Sequence, residues 1–490
     1  VIHSINADMP YNEFSRWQLA GDLIYHSLPP EKRDPEMLVA SAFHRQTLFN
    51  TEGGVDPEED RTKRIIDRIT TTGAVWMGMT VGCAQCHDHP YDPISQKEFY
   101  ELFAFFNNDT EPEAEVPLRY GDPGSPTMKT PVMGVVDRDK HRPTYLFRRG
   151  DFLQPETVSG PVEPGFPAVL GVSPDGGIAV DRVDLADWLF DEDHPLTARV
   201  AVNQIWEKLF GRGLVATQED WGRRGQLPSH PDLLDWLAVQ FRRNGWSRKQ
   251  LIRGIVLSRT YRQSAVHRPE YEESDPSNTL LFRQNRRRLE AESIRDIFLQ
   301  AGNSLDLTVG GPSVFPPLAG DVAALSYANN FRWKTSDGGD RFRRGLYTFF
   351  KRTAPHPNLM VFDCTDTNTS VSGRMVSNTP LQALTTLQNE VFMDAARRFG
   401  LRMAEIEDDK GPEAAINTAF RIALSRTPHP QNETAPLIAL LDESMAYFDE
   451  NPDAARVFSG VTDTASAGQA AAWTVVARSI LNLDEFITRN

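Results

Sequence analysis

Cysteine is scarce in this chain, three in 490 residues, and so few thiols exclude a disulfide framework as the source of its stability. Positive charge is in deficit as well. Lys and Arg number 52 against 67 Asp and Glu, a net charge of −15 that repels a phosphate backbone, so no nucleic acid partner is expected. No apolar run of about 18 residues occurs. The best stretch, Ala470 to Leu483, is interrupted by Arg478, and no membrane span is expected in this chain. The G-x-S-x-G elbow, the P-loop and H-E-x-x-H are all missing, which removes the usual support for lipase-like, nucleotide-dependent and zincin mechanisms. The chain begins at Val1 without a basic-then-apolar leader, as a mature form or a fragment does.

What is present describes a folded chain. Apolar residues are 40% and charged residues 24% of the sequence, and at roughly 100 to 200 residues per domain the length implies about two to four domains. Helical patterns dominate. Ser95 and Glu98 form an S-x-x-E capping box, after which Phe99, Leu102, Phe103 and Phe106 fall on one helical face. Between about Asp109 and Asp191, Pro and Gly cluster and short β-type runs appear at Pro131 to Val136 and Thr144 to Phe147. The helical period then returns with Val202, Ile205, Trp206 and Leu209. Ser229 is placed to cap a segment whose Leu233, Leu234, Leu237 and Phe241 share a face, with a stop at Asn244-Gly245. Thr379-Pro380-Leu381-Gln382 opens a helix expected to bury Leu381, Leu384, Val391 and Ala395, and a last helix carries Trp473, Val476, Ile480 and Leu483. The expected fold is mainly α: a multi-helical two-domain protein with a small β-containing connector, divided as 1–120, 121–190 and 191–490.

The sharpest chemical signal is Cys83-Ala84-Gln85-Cys86-His87. At this composition a C-x-x-C-H string arises by chance in about 3 of 10,000 shuffled chains. The spacing has a mechanical reason: in a c-type cytochrome two thiols add to the haem vinyl groups and the adjoining imidazole becomes the proximal ligand. Cys83, Cys86 and His87 fit those roles. A distal ligand must come from elsewhere or be absent; His44 is favoured over Met77 and Met79 because it lies on a separate segment. A second reading draws on the residues just after the cysteines. His87, His89 and Asp92, with the thiolates, have the chemistry to hold zinc or iron. A redox dithiol or a purely structural pair is the third reading.

Around these residues the chain resembles a planctomycete cytochrome-C-like domain followed by a planctomycete-specific domain of unknown function. The first is carried by Tyr11-Asn12-Glu13-Phe14, Gln18 to Leu23, Phe43-His44-Arg45, Glu52 to Glu59 and Gly82 to His89 leading into Asp92-Pro93-Ile94-Ser95-Gln96. The second is carried by Arg199 to Asn203, Pro228-Ser229-His230-Pro231 with Leu234 to Leu237, Ser258 to Tyr261, Lys351-Arg352-Thr353, Asn378 to Leu384 and Leu481 to Phe486. The resemblance covers nearly the whole chain. It implies haem c and an extracytoplasmic location, periplasmic or at the cell surface, and names no established reaction. Larger members carry a further cytochrome-like domain upstream, and the start at Val1 suggests that such a region is missing here. One departure is Ser372-Gly373-Arg374-Met375, which keeps a single arginine where the family is more Arg-rich.

The functional expectation is therefore an extracytoplasmic c-type haem-binding protein serving electron transfer or haem-linked oxidative chemistry. The alternative is a non-haem metal module or binding scaffold in cell-surface polysaccharide processing. A redox partner protein fits the first. An acidic or sulfated glycan would meet the basic clusters Arg283, Arg286, Arg287 and Arg288 and Arg341, Arg343, Arg344, Lys351 and Arg352. The acidic stretch Glu52 to Asp60 lacks EF-hand spacing and reads as a solvated helix start. Trp206, Trp221, Trp236 and Trp246 read as core rather than as a sugar platform, and Cys364 as a small buried apolar residue.

Overall fold

The capping box at Ser95 forms as the sequence predicts: Glu98 N–H donates to Ser95 Oγ at 3.2 Å, and Ser95 N–H donates back to Glu98 Oε2 at 2.7 Å. It opens the helix Gln96–Asn107, whose Phe99, Leu102, Phe103 and Phe106 are all buried. Each such side chain removed from water stabilises the fold by about 1.5–3 kcal/mol, enough to make this helix the spine of the surrounding core.

In this computed structural model the described residues are 1–47, 54–119, 127–138, 141–171, 181–318, 332–351, 354–365, 370–371 and 373–489. They form seventeen α-helices, with β-structure limited to two-stranded antiparallel ladders and a few isolated bridges. The protein is mainly α and multi-helical. No helix among the described residues is long and apolar enough to cross a membrane.

The chain forms two compact units. The first takes Val1–Asn285 with Asn368–Gly373, and the second takes Arg286–Thr367 with Arg374–Asn490. The main run of the first unit thus ends at Asn285. Inside the first unit, one core packs Gln96–Asn107 with Pro57–Thr72 and Arg182–Leu189 around Trp76, Trp188 and the phenylalanines. A second core joins Thr197–Phe210, Pro231–Arg243 and Arg248–Val256 around Trp206, Phe210, Phe241 and Trp246. The same unit holds short ladders. Glu113–Arg119 pairs with Thr127–Met133, Asp109–Thr110 with Val136–Asp137, and Leu146–Phe147 with Pro155–Glu156.

The second unit is built on Glu390–Lys410 and Thr464–Leu481, packed with Ala291–Ala301, Pro412–Leu424 and Ala435–Glu450 around Phe399, Ile416 and Trp473. Two expectations are corrected here. The helix opened at Thr379 ends at Gln388, because Asn389 turns extended (ψ 139°) and starts Glu390–Lys410, its Oδ1 accepting from Val391 N–H at 3.1 Å. Val391 and Ala395 therefore belong to the next helix and are buried, while Leu381 and Leu384 are exposed. Leu483 lies beyond the end of Thr464–Leu481 and is exposed.

Elsewhere, His230 rather than Ser229 is the residue before Pro231–Arg243, and Ser229 Oγ instead meets His230 Nδ1 at 2.9 Å. Trp206 and Trp246 are buried, but Trp236 is 59% exposed. In the acidic stretch Glu52 and Gly53 lie outside the described residues. Asp56 caps Pro57–Thr72 by accepting from Glu58 and Glu59 N–H, and Glu58, Glu59 and Asp60 pair with Arg61, Lys63 and Arg64.

Candidate functional site

The Pro57–Thr72 helix runs into a π-turn, Gly73–Met77, and stops at Gly78 in the left-handed region (φ +62°). Glycine is required there twice over, because a Cβ would also meet Trp221 Cδ1 at 2.6 Å. After this stop comes a short 3₁₀ helix, Val81–Gln85. Residues three apart eclipse one another in such a helix. Val81 and Ala84 consequently face the core, and Cys83 and the capping Cys86 face out. Both thiols are exposed and neither is in a disulfide.

Several bonds fix this turn from a distance. Gln85 O accepts from Gln96 Nε2 at 2.9 Å and from Tyr100 Oη at 3.2 Å, and Gln96 Nε2 also reaches Phe147 O at 3.1 Å. Burial raises the Tyr100 phenol well above its ordinary pKa, so it stays a donor. Cys86 Sγ lies against Gly150, where a Cβ would come within 2.7 Å of it, and Gln85 Nε2 donates to Gly150 O at 3.3 Å. Gln96, Tyr100 and Gly150 carry no local signal for this role, since their partners are remote in sequence.

His87 is exposed, with Nδ1 2.6 Å from Asp88 O. A carbonyl only accepts, so Nδ1 carries the hydrogen and Nε2 of the neutral ring keeps a free lone pair. Asp88 Oδ1 accepts from Gln96 N–H at 2.8 Å. His89 is arranged differently. Its Nδ1 accepts from Asp92 N–H at 2.8 Å, and its Nε2 is buried without a hydrogen-bond partner. Asp92 Oδ1 accepts from Arg223 N–H at 2.7 Å, with Gly222 packed so closely on the carboxylate that a Cβ would fall 2.2 Å from Oδ2. His89 and Asp92 thus tie the turn to the Gly222-Arg223 loop. Among the described residues no three His, Cys, Asp or Glu side chains come together as a metal-holding group. The donors His87, His89 and Asp92 do not fit a preformed zinc or iron site.

His44 is in the core. Its Nε2 lies 3.1 Å from Leu19 O, and its ring packs on Phe43 and Phe106. Burial, with Arg182 and Arg68 nearby, holds its pKa well below the ordinary value. Met77 is fully buried. Met79 and Cys83, in contrast, both border a cavity of about 870 Å3 whose wall is mostly apolar and includes Val75, Ile205 and Leu209. The cavity wall takes in neither Cys86 nor His87.

Several arginines of the second unit are committed internally. Arg286 pairs with Asp484, Arg288 with Asp363, Arg344 with Asp296, and Arg374 with Glu292. Arg343 donates to the carbonyls of Thr308 and Gly310. Arg352, Thr353 and Ser372 lie outside the described residues.

The fold and this turn belong to a helical class marked by two family segments. Residues 181–440, more than half of the chain, match PSD1, a protein of unknown function (DUF1553), and residues 1–111 match PSCyt2, also a protein of unknown function (DUF1549). The chain belongs to this planctomycete two-domain family, PSCyt2 followed by PSD1. No curated protein and no solved structure matches it.

Proposed function

We propose that the Cys83–His87 turn carries a covalent haem c, which Cys83 and Cys86 would hold as thioethers and His87 would serve as a nitrogen donor, and that the protein passes electrons to a redox partner in an extracytoplasmic compartment. One observation carries this reading. Two free thiols share the exposed side of a turn whose opposite side is anchored in the core, and the next residue is an exposed imidazole whose Nδ1 is turned to Asp88 O. The first family segment, PSCyt2, is the one that contains this turn.

A bound haem supplies one-electron chemistry through its iron. The chain supplies the rest. Asp88 O orients the His87 ring and sets its tautomer, while Gln96 and Tyr100 hold Gln85 so that both thiols stay on one side. The mostly apolar cavity wall beside Cys83 would lower the polarity on that side of a redox centre, which favours its less charged oxidation state.

The test is absorbance and intact mass of protein exported in a host with cytochrome c maturation machinery. The reading expects a Soret band and the mass of one added haem, both lost in Cys83→Ala/Cys86→Ala. Colourless protein of unmodified mass, while a control cytochrome matures in the same cells, overturns it.

A further inference from the structure

The cavity of about 870 Å3 that borders Cys83 is lined wholly by residues of the first unit. Its size falls within the range of about 300–1,000 Å3 typical of small-molecule sites, which are likewise mostly apolar with a few polar groups placed among them. Three elements build its apolar side. Ala74 and Val75 come from the π-turn, Ile205 and Leu209 sit one helical turn apart on Thr197–Phe210, and Ile252 comes from Arg248–Val256. The haem assigned above does not account for this space, because neither Cys86 nor His87 borders it.

The polar groups on the wall sort by whether they are already spent. The charged ones carry both signs, Asp67 and Glu219 against Lys208. Asp67 Oδ2 accepts from Thr47 Oγ1 at 2.5 Å, and Lys208 and Glu219 each interact with another group already. Thr71, Thr80 and Gln218 border the cavity as well, and among the described residues none of their side chains has a partner. An ionised ligand would meet an apolar wall and no unengaged counter-charge, which is strongly unfavourable. What is on offer is two hydroxyls and an amide, and each of these both donates and accepts.

Position adds the last constraint. On the reading that Cys83 carries haem, on which this inference rests, a ligand in the cavity lies beside the redox centre. Quinones and their hydroquinones are small molecules that are at once uncharged, apolar and able to exchange electrons. Their ring oxygens accept hydrogen bonds in the oxidised form and donate them in the reduced form. Hydroxyl and amide side chains serve both forms without any change of charge on the protein.

The geometry points to this cavity as the binding site of a quinone or its hydroquinone. Val75, Ile205, Leu209 and Ile252 cover the ring, and Thr71, Thr80 and Gln218 serve its oxygens. The redox partner of the first unit then includes a small apolar carrier, held on the Cys83 side of the turn.

Tetramethyl-1,4-benzoquinone is the probe, because its fully substituted ring leaves no free position for the exposed thiols to attack. Equilibrium dialysis against the haem-free full chain is expected to show one saturable site. Ile252→Glu puts a charge on the apolar wall at a position 37% exposed, and Gln218→Leu removes an oxygen-binding side chain at similar size. Each is expected to weaken binding about tenfold at an unchanged thermal midpoint. Tetramethylbenzene, the same ring and methyls without the oxygens, is expected to bind more weakly than the quinone. Haem-loaded protein is expected to keep the site. No saturable binding, equal binding of the hydrocarbon, unchanged affinity in both variants, or loss of the site on haem loading overturns the proposal. The two readings fail separately: a chain that never acquires haem shows unmodified mass, whereas failure here shows as absent or indiscriminate binding to that same chain.

Discussion

Arg182 Nε and Asp109 Oδ1 meet at 3.0 Å in the interior of the first unit, with side chains 0% and 1% exposed. The contact has ion-pair distance without hydrogen-bond alignment. The aligned bonds of Arg182 go instead to Asp22 at 2.8 and 2.9 Å, to Asp137 at 2.8 Å and to Leu19 O at 2.8 Å. Asp22 and Asp109 lie in the PSCyt2 segment, whereas Arg182 is the second residue of the PSD1 segment. The two family segments therefore share one buried network: the Arg182 cation of one pairs with the Asp22 carboxylate of the other, while burial pushes the Asp109 carboxyl up to about 8.

Replacing this cation should be severe. Arg182→Met leaves the Asp22 and Asp137 carboxylates without the guanidinium they bond, and breaking a buried pair by removing one member costs about 3–5 kcal/mol. Urea denaturation of the full chain should show that loss in the transition of the first unit. A fragment ending at residue 111 is expected to remain unfolded, while one running to residue 285 unfolds cooperatively. A folded 1–111 fragment would contradict the shared core.

Acid should weaken the first unit through His194. Its Nδ1 accepts from Leu196 N–H at 3.3 Å and Thr197 N–H at 3.2 Å, capping Thr197–Phe210, and burial lowers its pKa from 6.5 to about 4. Between those values the unfolded chain takes up a proton that the native ring refuses. Stability is complete above about pH 6.5 and is lost as the pH falls towards about 4, by on the order of 3 kcal/mol. His194→Asn keeps a capping acceptor without the titration. Thermal midpoints measured from pH 7 to 4 should fall less steeply in the variant, with residual slope from His44 and His356, whose pKa values burial also lowers. Equal slopes in the two proteins would remove His194 from the account.

Much of this is legible in the sequence where the signal is local. The Gln96–Asn107 helix announces itself through a cap and a 3.6-residue period, both satisfied within twelve residues. The thiols announce themselves by spacing. His44 reads as a candidate ligand because it stands apart from the motif, yet what places it is a bond to Leu19 O, 25 residues away. Arg182 gives no signal at all, since its carboxylate partners Asp137 and Asp22 lie 45 and 160 residues from it. Leu381 and Leu384 have the right period but the wrong continuation: the turn at Asn389 changes which face the next helix buries.

Gly400 sets two helix effects against each other. It sits inside Glu390–Lys410, where Ala is intrinsically better than Gly by about 0.8–1 kcal/mol. But a Cβ there would lie 2.8 Å from Thr474 N and 2.9 Å from Trp473 C, both backbone atoms of Thr464–Leu481. Backbone cannot swing aside, and overpacking of this kind costs about 1–3 kcal/mol. Gly400→Ala is expected to lower the thermal midpoint despite its better propensity. A rise would mean that the two helices pack less closely than this.

The three thiols should separate cleanly by access. Cys83 and Cys86 are exposed, and Cys364 is 9% exposed. Burial and the neighbouring Glu292 carboxylate, 3.8 Å from Cys364 Sγ, also raise the pKa of that thiol. Alkylation proceeds through the thiolate and needs access, so both factors slow Cys364. Iodoacetamide treatment of haem-free native protein at pH 8 should add two labels quickly, with the third appearing only after denaturation. Peptide mapping should place the first two on the turn at Cys83 and Cys86. In haem-loaded protein the same treatment should add none under native conditions, because thioether sulfurs no longer present a thiolate. Two fast labels on protein that already carries haem would show that the group is held without these cysteines.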